Sequence, residues 1–167
     1  MESERTESPG NPLVVRGGVA HASMPDFIAL MRDVLDKGRS VRFQVWGTSM
    51  TPFIRDGDVI TVAPVSAERD IGLGEVVAYL QPLPTGQWLV VHRVVGRRGS
   101  SFHIRADYAL GVYCLPPVRP EHILGRVVRI ERGGKDIRFG LGPERCVIAV
   151  LSRGGLLLPL LRHASPF

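Results

Sequence analysis

From 24 to 37, apolar side chains fall at Phe27, Leu30, Met31, Val34 and Leu35. Steps of three, one, three and one line one face of an α-helix. Ser23 stands where an N-cap hydroxyl is needed, Asp26 follows three residues on, and Gly38 suits a C-terminal cap. Beyond this helix the pattern shortens. Runs with β-type composition occupy 41–46, 59–62, 75–80, 87–95, 101–105, 123–131 and 137–139. Between them lie Asp56-Gly57-Asp58, Gly72-Leu73-Gly74, Pro84-Thr85-Gly86, Arg98-Gly99 and Gly133-Gly134, all turn formers. Short strands at such close spacing predict a mostly β fold, an antiparallel coiled sheet or barrel, with one N-terminal helix.

The C-terminal stretch reads as a short helix over 144–152, a Gly154-Gly155 break and an apolar tail. In that tail Leu156, Leu157, Leu158, Leu160 and Leu161 are flanked by Arg153 and Arg162. The tail has two readings: it packs on the protein itself, or it makes a peripheral membrane or partner contact with its arginines at the headgroups. Pro159 and the Gly-Gly break leave no run of the roughly 20 apolar residues a spanning helix requires. The polar start carries Glu2, Glu4 and Glu7 and lacks a basic, then apolar, export pattern. The expected organisation is a lead over 1–22, a β domain with its helix over 23–140, and a helix with apolar tail over 141–167. The expected location is cytoplasmic, with at most peripheral attachment to a membrane through the tail.

Composition sharpens this picture in three places. The 167 residues suit one domain, and 19 glycines with 13 prolines favour many short elements over a bundle. The net charge is +5, yet Lys37 and Lys135 are the only lysines among 21 basic residues. No arginine cluster is denser than Arg97-Arg98, no helix-turn-helix precedes the β region, and aromatics are not clustered, so nucleic acid is not an expected partner. Cys114 and Cys146 cannot build a disulfide framework, and with His92, His103 and His122 they show no metal-ligand spacing. Neither a metal nor a cofactor is expected.

The stretch most suggestive of chemistry is Gly47-Thr48-Ser49-Met50-Thr51-Pro52, directly after a predicted strand. A hydroxyl on a Gly-bracketed turn, with backbone N–H groups nearby, suits a nucleophile beside an oxyanion hole. Serines in turns are common, so the motif alone is weak. Such a serine needs a base, and neither lysine sits on a strand that returns to Ser49. His92, embedded in Trp88-Leu89-Val90-Val91-His92-Arg93-Val94-Val95, stands out: it is either a surface-facing histidine on an alternating strand or a polar residue in an apolar run that needs a partner. Asp107, after the next strand, is placed in order to orient an imidazole, and Asp58 is a fallback.

Taken together, the blocks resemble the clan of type I signal peptidases and self-cleaving phage and SOS repressors. Gly47-Thr48-Ser49-Met50-Thr51-Pro52 is similar to its Gly-x-Ser-Met-x-Pro box, and Gly74-Glu75-Val76-Val77-Ala78-Tyr79 to its Gly-Asp-Val-Val strand. His92-Arg93-Val94-Val95 resembles its His-Arg-Val box, Arg105-Ala106-Asp107 its Lys-Gly-Asp box, and Ile123-Leu124-Gly125-Arg126-Val127 its closing strand. The resemblance implies the branch that uses Ser–His with an aspartate: endopeptidase activity on a signal or leader peptide, with no metal or cofactor. It implies Ser49 as nucleophile, His92 as base, Asp107 as orienting acid, and Gly47, Ser49 and Met50 N–H groups as the oxyanion hole. An extended peptide or preprotein would lie along edge strands at Val45, Trp46, Pro52, Val77 and Tyr79. The chain departs from the pattern where Arg105-Ala106 replaces Lys-Gly and where 110–117 carries no second acid. A peptide-binding module of the same fold without efficient turnover is therefore the alternative.

Overall fold

The structure is a computed structural model describing residues 23–66, 71–84, 86–108 and 116–164. The expected lead over 1–22, and most of the acid-free stretch over 110–117 with Cys114, lie outside the described residues. Helix α1 (Met24–Asp36) begins as its sequence dictates. The Ser23 hydroxyl accepts the Asp26 N–H, and Gly38 closes the helix at a φ of +72°. Seven strands follow: β1 (Val41–Gln44), β2 (Val59–Ala63), β3 (Val76–Leu83), β4 (Gly86–Arg98), β5 (Ser101–Arg105), β6 (Ile123–Arg132) and β7 (Lys135–Ile137). A 3-10 turn, Pro120–His122, leads into β6.

All seven strands join one antiparallel sheet in the order β1-β2-β6-β3-β4-β5, with β7 on β6. The sheet is open, so the barrel alternative falls: β1 and β5 end the order and do not pair with each other. Pairing alternates side chains across the sheet, and β3 shows the consequence most clearly. Val76 and Ala78 join Phe27, Met31, Phe43, Ile60, Val62 and Ile130 in a core under α1. Val77 and Tyr79 face the other way, into a second core with Ile71, Val94, Phe102 and Ile104. Over 76–80 both faces of β3 are buried, which explains why that run is apolar without alternation.

Several strand ends differ from the sequence expectation by a few residues, and the C-terminal part differs most. The last strand starts at Lys135 rather than residue 137. Gly133 and Gly134 both take positive φ, close a two-residue hairpin, and pair Lys135 with Arg132 at once. The apolar tail, given no element in the sequence expectation, is helical: α2 (Arg145–Arg153) is followed by α3 (Leu157–Ala164). Gly155, at a φ of +72°, turns the chain between them. Each helix is two-sided. Ile148 and Leu157 pack on Phe53 beneath the sheet, whereas Val147, Val150, Leu156 and Leu160 are exposed. No helix among the described residues is long and apolar enough to cross a membrane.

Leu157 thus ties α3 to the loop that carries Ser49, through Phe53. Leu157→Ala should cost about 3 kcal/mol of stability, read as a lower midpoint in urea unfolding.

Candidate functional site

Ser49 sits at the exposed crest of the turn between β1 and β2, and carboxylates help to hold that turn. The Gly47 N–H donates to Asp56 Oδ1 at 2.7 Å, and the Arg55 N–H donates to Asp58 Oδ2 at 2.8 Å. Asp58 is buried and is gripped by the Arg132 guanidinium at 2.8 and 2.9 Å. The Asp56-Gly57-Asp58 turn is thus the frame of the Ser49 loop, with Gly57 at a φ of +81°. From the far side, the Tyr108 N–H donates to the Ser49 carbonyl at 2.8 Å. Met50 turns inward and is buried.

Across from this loop, β4 carries His92. Its Nε2 lies 3.3 Å from Ser49 Oγ. Its Nδ1 lies 3.4 Å from the Tyr79 hydroxyl. Register explains the second contact. Val77 pairs with His92 and Tyr79 with Val90, so Tyr79 and His92 are diagonal neighbours on one face of the sheet. Burial lowers the His92 pKa to about 4, because no anion offsets the lost hydration. The same desolvation raises the Tyr79 phenol to about 12. At neutral pH the imidazole and the phenol are both uncharged.

Asp107 does not take the place expected of it. Its carboxylate is buried against Arg93, with Nε at 2.8 Å from Oδ1 and Nη2 at 2.7 Å from Oδ2. Burial pushes the Asp107 carboxyl up while the Arg93 guanidinium pulls against it. The His92 nitrogen that an acid would face meets Tyr79 instead. The fallback fails for a similar reason, since both Asp58 oxygens are engaged by Arg132. The oxyanion assignment also narrows. The Gly47 N–H is taken by Asp56, whereas among the described residues the Ser49 and Met50 N–H groups donate to no protein acceptor.

A cleft of about 240 Å³ opens beside Ser49, lined by Phe43, Val45, Trp46, Met50, Trp88 and Val91 among others. Trp46 and Trp88, the two tryptophans of the chain, are both about half exposed along it. Two strand edges border the cleft. The Val94 N–H donates to the Glu75 carbonyl, so the two-residue period turns the backbone groups of Leu89 and Val91 away from β3. β5 pairs β4 only from Arg93 onward, which leaves that stretch of edge without a described partner. On β1 the Val45 N–H donates to the Asp58 carbonyl, so Gln44 directs its backbone groups outward.

Of the residues expected to bind substrate, Val45 and Trp46 line this cleft. Pro52 is partly buried and does not line it. Val77 and Tyr79 are buried in the second core, and β3, lying between β4 and β6, offers no free edge. Sequence reasoning missed Trp88 and Leu89 on the opposite wall, and the Tyr79–His92 contact. The signal for the latter was a lone hydroxyl in the apolar β3 run, interpretable only once its register with β4 is known. No protein-family model, curated protein or solved structure matches this chain.

Two outcomes follow from this geometry. Asp107→Asn removes the charge partner of a wholly buried arginine, so it should destabilise the fold by about 3 kcal/mol or more, checked by urea or thermal unfolding. The His92 pKa is depressed in the fold, from the ordinary 6.5 to about 4. Between those values the unfolded chain binds a proton that the native state refuses. Stability should therefore fall as pH drops through that window, by at most about 1.4 kcal/mol per pH unit. His92→Gln should flatten that part of the stability–pH curve.

Proposed function

We propose that the protein is a serine endopeptidase that cleaves an extended peptide laid in the cleft beside Ser49. The observation that carries this reading is the 3.3 Å approach of His92 Nε2 to an exposed Ser49 Oγ at a cleft bordered by strand edges. The order of blocks that resembles type I signal peptidases points the same way and makes a signal or leader peptide the substrate class.

In this reading the peptide adds as a strand between the β1 edge at Gln44 and the β4 edge at Leu89 and Val91. Main-chain hydrogen bonds supply the register, and the apolar walls select apolar side chains. Ser49 Oγ attacks the scissile carbonyl carbon while its proton passes to His92 Nε2. The Ser49 and Met50 N–H groups receive the developing oxyanion. His92 returns the proton to the leaving amine, and water attacks the resulting acyl-serine with His92 again as base.

A second reading keeps the cleft and drops turnover: a peptide-binding module. It is favoured by the uncharged environment of His92, because no carboxylate among the described residues offsets the imidazolium that forms during attack.

Ser49→Ala separates the two. In the first reading cleavage of an apolar leader-type peptide disappears while binding persists, measured as a change in the fluorescence of Trp46 and Trp88. Unchanged peptide turnover in Ser49→Ala would remove Ser49 as the nucleophile, and binding without any wild-type cleavage would favour the module. For an active wild type, kcat/KM should rise with pH through about 4, where His92 becomes neutral, rather than near 6.5.

A further inference from the structure

We propose that Tyr79 is the positioning residue of the Ser49–His92 pair: its phenolic oxygen accepts the His92 Nδ1 hydrogen and leaves the Nε2 lone pair aimed at Ser49 Oγ. The inference rests on the peptidase reading of that pair. A neutral imidazole carries one hydrogen, and what faces one nitrogen decides the state of the other. Ser49 can surrender its proton to Nε2 only if the ring hydrogen sits on Nδ1. Among the described residues, the group within hydrogen-bond reach of Nδ1 is the Tyr79 hydroxyl, at 3.4 Å.

Among the described residues, the buried carboxylates are committed elsewhere. Asp107 is held by Arg93 and Asp58 by Arg132, while Glu75 lies toward Arg126 and Arg145 at 3.6 and 3.4 Å. Tyr79 is also well suited to hold a ring still. It is 1% exposed, lies on a strand paired on both sides, and packs among Val77, Val94, Phe102 and Ile104. Its ring centroid is 6.2 Å from that of His92, so contact between the rings adds to the hydrogen bond.

The role differs in kind from that of an acid. A phenol that stays protonated orients the imidazole and selects its tautomer, yet provides no negative charge to stabilise the imidazolium. The low His92 pKa, set by desolvation with no opposing charge, agrees with this. The contribution of Tyr79 should therefore be smaller than the roughly 10⁴-fold of a triad carboxylate.

The test uses the full chain with nitrogen-15 histidine, with the His92 signals assigned by their loss in His92→Gln. In the wild type near neutral pH, Nδ1 should have the shift of a protonated ring nitrogen and Nε2 that of a bare one. In Tyr79→Phe the two tautomers should mix. With a cleaved peptide, Tyr79→Phe should lower kcat about 10- to 100-fold, as expected for lost base positioning, with KM little changed. A bare Nδ1 in the wild type would overturn the proposal, because the phenol would then be the donor. So would an unaltered kcat in a folded Tyr79→Phe. If the wild type cleaves no peptide, the peptidase reading fails on its own, and the wild-type nitrogen shifts still decide the tautomer.

Discussion

Arg93 is wholly buried, and what its guanidinium reaches holds the site together. One edge of the fork grips Asp107, at the end of β5, while Nη1 donates to the carbonyls of Gly74 and Gly140, each at 2.8 Å. Those carbonyls belong to the turn before β3 and to the approach to α2. The face of the fork lies over Phe53, in the loop that follows Ser49, at 5.2 Å from the ring centroid. A charge this deep is tolerable only when paired and fully hydrogen-bonded. Four segments distant in the chain must therefore arrive together for any of them to be stable.

The serine turn depends on that convergence. Asp107 precedes Tyr108, whose N–H holds the Ser49 carbonyl, so the Arg93 ion pair reaches Ser49 through one residue of backbone. The other side of the loop is secured independently by Asp56 and by the Asp58–Arg132 pair. An exposed nucleophile candidate thus rests on one fully buried ion pair and one that is partly buried. The acids expected near it serve its scaffold instead of its proton transfer.

His92 follows from the same strand by simple alternation. Arg93 points into the protein from one face of β4, so its neighbour must point from the other, toward Tyr79 and the Ser49 turn. The cleft follows from unequal strand lengths. β4 runs for 13 residues and β5 for 5, so β5 covers only the far half of β4 and leaves the near edge open beside β1.

Local rules were enough for much of this. The spacing of Phe27, Met31 and Leu35, with Ser23 and Gly38 at the ends, determined α1. Glycine pairs and Asp-Gly turns determined where strands stop, and Ser49 and His92 were legible as candidates because a turn hydroxyl and a histidine in an apolar run are local features. What Asp107 and Tyr79 do was not legible. Asp107 has two cations or imidazoles to choose between, Arg93 and His92, adjacent in sequence but on opposite faces of one strand. Tyr79 reads as one more apolar position until the β3–β4 register sets its hydroxyl against Nδ1. The openness of the sheet was equally undecided, because closure depends on whether β1 and β5 meet, a relation between residues about sixty apart. Sequence determines what each residue is able to offer; the tertiary fold decides which partner comes within hydrogen-bond reach of it, because hydrogen bonds act only at contact.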